Sequence, residues 1–103
     1  MLEKEFETFL MNDENISSKT KAILTRLSKA RAVEKALGKS LDMIVADDNQ
    51  MYQALLDINR KLKNNNGAYS NALRKYYIFK NKTTFPQIKE FEKNLKKIWN
   101  KKI

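Results

Sequence analysis

The chain has 103 residues with 21 Lys or Arg, 12 Asp or Glu, a net charge of +9, and neither Cys nor His. This length suits one domain, and the missing Cys and His exclude disulfides, thiolate chemistry and the usual zinc and acid/base side chains. The sequence contains no apolar run of about 18 residues, and its start, MLEKEFETFL, is too acidic for a secretory signal. We therefore expect a cytoplasmic protein that does not cross a membrane. Binding to a membrane surface is not expected either, because no basic segment carries the broad exposed apolar face that interfacial insertion needs.

Positive and negative charges alternate along the chain in blocks. Residues 1 to 16 carry one base and five acids, and residues 17 to 37 carry six bases and one acid. Residues 38 to 59 carry one base and four acids, and residues 60 to 103 carry thirteen bases and two acids. Such clustering creates a local positive potential that attracts polyanions, which favours nucleic acid as the partner. The alternative is a solvated, lysine-rich surface that binds nothing.

The first two predicted helices precede Gly38, one of only two glycines in a chain with a single proline. Apolar spacing indicates a short first helix on Leu2, Phe6, Phe9 and Leu10. A long second helix follows an N-cap at Ser17 or Ser18, and it ends near Leu37 because Gly38 can adopt a positive φ. The predicted buried side of this helix comprises Ile23, Leu24, Leu27, Ala30 and Leu37.

The acidic link after Gly38 leads into a third helix. We expect an extended or turn-like piece here whose apolar residues fill the core: Leu41, Met43, Ile44 and Val45. Asp47 or Asp48 is positioned to cap the third helix, and capping explains these carboxylates better than Mg²⁺ binding does. A buried face is predicted by the helical spacing of Met51, Leu55, Ile58 and Leu62.

Residues 64 to 81, NNNGAYSNALRKYYIFKN, place a chain breaker before a fourth helix with two unlike faces. One face is apolar and predicted to be buried: Tyr69, Ala72, Leu73, Tyr76 and Phe79. The other face has side chains that suit phosphates and base edges: Ser70, Asn71, Arg74 and Lys75. An ordinary solvated face on a core helix remains the alternative, and these residues alone do not decide between the two.

A final helix is predicted from about Thr84, which can act as an N-cap with Pro86 in the first turn. Its apolar stripe comprises Ile88, Phe91, Leu95 and Ile98 or Trp99, and most of its remaining surface is lysine. Packing of that stripe against the core is the favoured role, and the last few residues are expected to fray.

Catalysis has little support in this sequence. Tyr76 and Tyr77 suggest a tyrosine nucleophile, but with only four arginines and no histidine the chain offers few groups to stabilise a pentavalent phosphate. Core packing, with the hydroxyls at the rim, explains them better. The serines likewise have no histidine base to activate them. We predict a chain without enzymatic activity, bound metal or cofactor.

In this order the elements resemble the SAM-like core-binding domain of tyrosine recombinases, the phage integrase family. The resemblance covers about residues 1 to 82 and depends on short strings in a fixed order. These are Ser17 with Thr20, Arg26 with Leu27, Leu37 with Gly38, the link Leu41 to Asp47, and Ser70, Ala72, Leu73, Arg74, Tyr76, Tyr77 and Phe79 in the fourth helix.

The resemblance implies an all-α fold, namely a four-helix orthogonal SAM-like bundle over residues 1 to 82. The lysine-rich helix predicted over residues 83 to 103 is additional, because the family usually has an interdomain linker there. It also implies a non-catalytic module that clamps double-stranded DNA with the second and fourth helices. Other copies of the chain are a second expected partner, on the same DNA. The catalytic domain of the family is absent here, so strand cleavage does not follow. The DNA-binding residues carried over are Lys19, Lys21, Arg26, Lys29, Ser70, Asn71, Arg74 and Lys75.

A second hypothesis is a small interaction or assembly protein. Its basic faces would meet an acidic protein partner, or the acidic first segment of one copy would pair with the basic end of a neighbouring copy. Binding to a mixed-sequence DNA duplex separates the two hypotheses.

Overall fold

The computed structural model describes residues 1 to 13 and 19 to 101, and of residues 19, 65 and 97 to 101 it describes the backbone alone. Within these ranges every regular element is a helix and there is no strand, which confirms the all-α class. The helices are α1 (Glu3–Met11), α2 (Lys19–Leu37), α3 (Leu41–Val45), α4 (Asp48–Lys61), α5 (Ala68–Asn81) and α6 (Ile88–Lys101), with a 3₁₀ turn at Asn65–Gly67. The predicted third, fourth and final helices are therefore α4, α5 and α6.

Gly38 ends α2 as predicted. Its φ is +65°, and its backbone N–H donates to the Glu34 carbonyl at 2.9 Å. The predicted N-cap of α2, at Ser17 or Ser18, lies outside the described residues.

Replacing Gly38 with alanine is expected to lower the free energy of unfolding by about 1 kcal/mol, because a Cβ strains a positive φ. The cost arises from the backbone alone, since an added Cβ would meet no atom within 4 Å. Gly38→Asn is expected to lose less, because asparagine tolerates the left-handed region better. Urea denaturation followed by circular dichroism measures both variants. Equal losses of unfolding free energy in the two variants would contradict the argument that the positive φ of residue 38 causes the cost.

The acidic link is the helix α3, not the extended piece that the sequence indicated. The Ser40 hydroxyl caps it by accepting a hydrogen bond from the Met43 N–H at 3.4 Å. Leu41, Ile44 and Val45 are buried, as expected for residues at positions i, i+3 and i+4 of a helix. Met43 falls on the opposite side and is 59% exposed, so its predicted core position was wrong.

Asp47 caps α4, as the sequence predicted. Its Oδ1 accepts hydrogen bonds from the N–H groups of Asn49 at 2.8 Å and Gln50 at 3.4 Å. On α2 the prediction failed for Leu24, which is 60% exposed. Leu24 shares its side of α2 with Ser28 and Arg31, one and two turns further on, and both of these are also exposed.

The central helix is α5, which packs against α1, α2, α3 and α4. Phe6 of α1 contacts it through the rings of Tyr76 and Phe79, at centroid distances of 5.0 and 5.7 Å. Tyr76 and Tyr77 are buried core residues, as predicted, and their hydroxyls donate to Asp42 and Asp48. The core therefore surrounds the apolar side of α5 and leaves its other side toward solvent.

The final helix begins at Ile88 rather than near Thr84, so the predicted cap and first turn were wrong. Lys82 adopts a positive φ of 62° and ends α5. Phe85 is then buried against Tyr77 and Phe91, at ring distances of 5.2 Å each, which draws residues 83 to 87 across the core before a helix can start. The side chains of Ile98 and Trp99 lie outside the described residues.

Candidate nucleic-acid interface

The two helices that the resemblance assigns to DNA, α2 and α5, form the most extensive helix contact in the described part of the chain. The Arg26 Nη1 donates to the Asn71 carbonyl at 3.3 Å. The Lys29 Nζ lies 3.5 Å from the Tyr69 hydroxyl and 4.5 Å from the centroid of that ring. Two cations of α2 are thus held against the first half of α5.

Asn71 projects from the outer face of α5 and is exposed. With 3.6 residues per turn, the outer face continues through Lys75 and Ile78. Lys82 was absent from the predicted site, and it follows the end of α5 with a positive φ. Its Nζ donates to the Phe79 carbonyl at 3.1 Å and lies 5.8 Å from the centroid of the Phe79 ring, so this cation is held beside a ring that packs against α1.

Arg74 and Lys75 diverge to opposite flanks of the outer face of α5. The Lys75 ammonium pairs with Asp13, whose side chain is only 8% exposed and which lies in the segment leading toward α2. The Arg74 Nη1 donates to the carbonyls of Phe85 at 2.9 Å and Pro86 at 3.2 Å, in the segment leading into α6. The predicted single basic face is therefore divided by α5 into an α2 flank and an α6 flank.

The four arginines fall into two classes. Arg31 and Arg60 pair with the carboxylates of Glu3 and Asp57. Within the described ranges, Arg26 and Arg74 bind main-chain carbonyls and have no carboxylate within 4.0 Å. A carbonyl orients a guanidinium without neutralising it, so the positive charges of these two arginines remain available to an external anion.

Ser70 belongs to the capping structure at the start of α5. Its Oγ donates to the Gly67 carbonyl at 3.1 Å and accepts from the Asn64 Nδ2 at 3.0 Å. The Asn64 Oδ1 accepts from the N–H groups of Tyr69 at 3.0 Å and Ser70 at 3.3 Å. The sequence treated Asn64 only as part of a chain breaker, yet this side chain organises the beginning of the central helix.

The two remaining predicted residues lie at the start of α2. Lys21 is exposed, and helix geometry turns it about 140° away from Arg26 around the axis of α2. The Lys19 side chain lies outside the described residues. Of the eight predicted residues, the structure therefore brings together Arg26, Lys29 and Asn71, with Lys75 beside them.

The buried tyrosines are poorly suited to ionise. Burial and the hydrogen bond to Asp42 raise the pKa of Tyr76, and burial with the hydrogen bond to Asp48 raises the pKa of Tyr77 to about 12. Both hydroxyls therefore remain protonated donors at neutral pH. In the described ranges no group of three or more Asp or Glu side chains gathers as a metal would require.

Comparison of the chain with protein-family models, with curated proteins and with solved structures finds no match. Among the described helices, none has the length and apolar composition needed to cross a membrane.

Proposed function

We propose that this chain is a non-catalytic DNA-binding module that resembles the core-binding domain of a tyrosine recombinase. The observation that carries the proposal is the position of Arg26, which is held against α5 by a carbonyl alone, beside Lys29 and the exposed Asn71. A rigid helix thus presents an amide flanked by cations. This combination suits a duplex better than it suits an apolar ligand.

Each side chain in this arrangement has a distinct part in DNA recognition. The Asn71 amide carries a donor and an acceptor, the pair that matches the edge of adenine in the major groove. Arg26 and Lys29 contact phosphates, which position the protein on the duplex without reading its sequence. An α-helix about 10 to 12 Å across fits a major groove about 12 Å wide. Because α5 carries Asn71, α5 is the helix proposed to enter it.

The salt dependence of duplex binding tests this proposal. If about five to eight phosphates are neutralised, the logarithm of the association constant falls by about 0.9 per phosphate for each tenfold rise in salt. Between about 50 and 200 mM salt, this amounts to a loss of about 10³-fold or more. Fluorescence anisotropy with a labelled mixed-sequence duplex measures it, and an affinity that does not change over this range would refute DNA binding.

A second candidate function is assembly between copies, favoured by a groove between α1 and α2. This groove has a volume of about 260 Å³ and is lined by Glu7, Met11, Thr20, Ile23 and Leu24. Met11 and Leu24 are 52% and 60% exposed, and together with the Glu7 carboxylate they suit a basic amphipathic helix such as α6 of another copy. Sedimentation of the wild type and of Leu24→Glu tests whether the groove joins two copies. Because this groove lies away from Arg26, Leu24→Glu should leave DNA affinity unchanged, which distinguishes the two candidate functions.

A further inference from the structure

A cleft of about 370 Å³ opens between α5 and the segment that leads into α6. Polar and apolar side chains share its lining, which includes Arg74, Ile78, Thr84, Pro86, Gln87 and Glu90. This cleft lies on the α6 flank of α5, whereas Arg26 and Lys29 approach from α2. It is therefore separate from the part of the candidate interface described above.

The Arg74 guanidinium is fixed in this cleft. Both of its hydrogen bonds, to the Phe85 and Pro86 carbonyls at 2.9 and 3.2 Å, use Nη1. Its carbon Cζ also lies 5.8 Å from the centroid of the Phe85 ring. The Nε and Nη2 groups have no acceptor within the described ranges. Burial lowers the pKa of Arg74, but an arginine remains charged at neutral pH.

A fixed guanidinium with a free edge is a bidentate donor for a phosphate. Two further donors line the same cleft, the Thr84 hydroxyl and the Gln87 amide, and neither side chain has a hydrogen-bond partner in the described part of the chain. The apolar walls formed by Ile78 and Pro86 suit the sugar carbons next to a phosphate. The cleft thus matches the backbone of a nucleic acid strand rather than its base edges.

Glu90 also lines the cleft, but its carboxylate lies more than 4.0 Å from the guanidinium nitrogens, so it does not pair with Arg74. Attraction to Arg74 and repulsion by Glu90 both scale with the charge of a bound anion, so charge alone does not separate a phosphodiester from a free phosphate. The apolar walls make the difference, because Ile78 and Pro86 suit sugar carbons that a diester carries and a free phosphate lacks. The cleft therefore favours the diester.

We propose that the Arg74 cleft binds one phosphodiester of a DNA strand, on the opposite flank of α5 from Arg26. The two strands that border a major groove would then be held on either side of α5, with Asn71 between them. This inference rests on the proposed DNA-binding function and deepens it. It gives Arg74 a backbone-binding role, whereas the sequence pattern of this face suited phosphates and base edges equally.

Arg74→Gln tests the cleft, with Arg31→Gln as a control of equal charge change on the side of α2 that faces α1. We expect Arg74→Gln to weaken duplex binding about tenfold and to reduce the salt slope by about 0.9, the share of one phosphate. Arg31→Gln should change neither quantity. If both variants retain wild-type affinity while the wild type keeps its steep salt slope, the cleft assignment fails and the proposed function stands. No binding by the wild type would overturn both.

A second variant avoids the carbonyl contacts of Arg74, whose loss can disturb folding. Gln87→Glu adds a negative charge to the cleft, and we expect about a tenfold loss of affinity. The control is Asn49→Asp, which adds the same charge at an exposed position on α4. The Arg74 Nε resonance reports directly on the site. It should shift when the duplex is added and not when inorganic phosphate is added at the same ionic strength. An equal shift with inorganic phosphate would mean a general anion site and would overturn the diester assignment.

Discussion

Replacing Asp42 with asparagine is expected to lower the free energy of unfolding by about 2 kcal/mol, because this carboxylate of α3 joins the N-terminus to α5. Its Oδ2 lies 3.2 Å from the Met1 ammonium, and its Oδ1 accepts the Tyr76 hydroxyl and lies 3.5 Å from the Lys80 Nζ. Asparagine keeps the shape of the side chain but loses the charge. The side chain is 33% exposed, so water compensates for part of the loss.

The same network predicts how stability depends on pH. Burial of the Met1 ammonium opposes its charge, but hydrogen bonds to Glu34 and Asp42 outweigh burial and raise its pKa above 8.0. This contribution is fully present below pH 8.0 and is lost as the pH rises through the higher pKa of the folded state. For Asp42, burial is likewise outweighed, here by Tyr76 and the ammonium, so its pKa falls below 3.8. That contribution is present above pH 3.8 and is lost as the pH falls.

Urea denaturation at acidic, neutral and alkaline pH measures the cost of Asp42→Asn and both losses of stability with pH. Asp57→Asn is the control, because Asp57 pairs with the exposed Arg60 on the surface of α4 and should cost less than about 1 kcal/mol. In a chain acetylated at the Met1 amine, the loss of stability at alkaline pH that is assigned to this amine should disappear. Equal costs for Asp42→Asn and Asp57→Asn, or an unchanged alkaline loss after acetylation, would contradict a structural role for the network.

The parts of the fold that sequence reasoning predicted correctly depend on short-range rules. Gly38 and Asp47 satisfy local requirements, a positive φ after a helix and a carboxylate before one, so a few residues of sequence identify them. The same rules missed α3, because five residues hold only one set of i, i+3 and i+4 positions and a short apolar run fits a strand equally well. Leu24 was misplaced for a related reason, since it borders the buried stripe.

The candidate site was predicted less well because its charges depend on partners far along the chain. Lys75 is neutralised by Asp13, 62 residues away, and Arg74 is held by carbonyls that become available only where the chain crosses the core after α5. A helical pattern indicates which residues face outward. It does not reveal which cations are already paired with a carboxylate. Arg31 and Arg60 are paired in this way, whereas Arg26 and Arg74 bind carbonyls.

The double variant Arg26→Ala with Lys29→Ala is expected to weaken duplex binding about 30-fold at 0.15 M salt and to reduce the salt slope by about 1.8, the share of two phosphates. Both side chains lie on the flank of α2 that meets α5, and the Lys29 Nζ reaches the Tyr69 hydroxyl at 3.5 Å. Removing them should leave the core intact, because neither is buried. Thermal unfolding of the variant is therefore expected to stay close to that of the wild type.

The matched control is Arg31→Ala with Lys35→Ala, which removes the same two residue types from the same helix. Arg31 and Lys35 are exposed on the side of α2 that faces α1, where Arg31 pairs with Glu3. If net charge alone draws the chain to DNA, both double variants should lose affinity equally. If the junction of α2 and α5 contacts the duplex, only Arg26→Ala with Lys29→Ala should lose affinity. Cations in close contact with phosphates release counterions, whereas more distant charges are screened beyond a Debye length of about 8 Å.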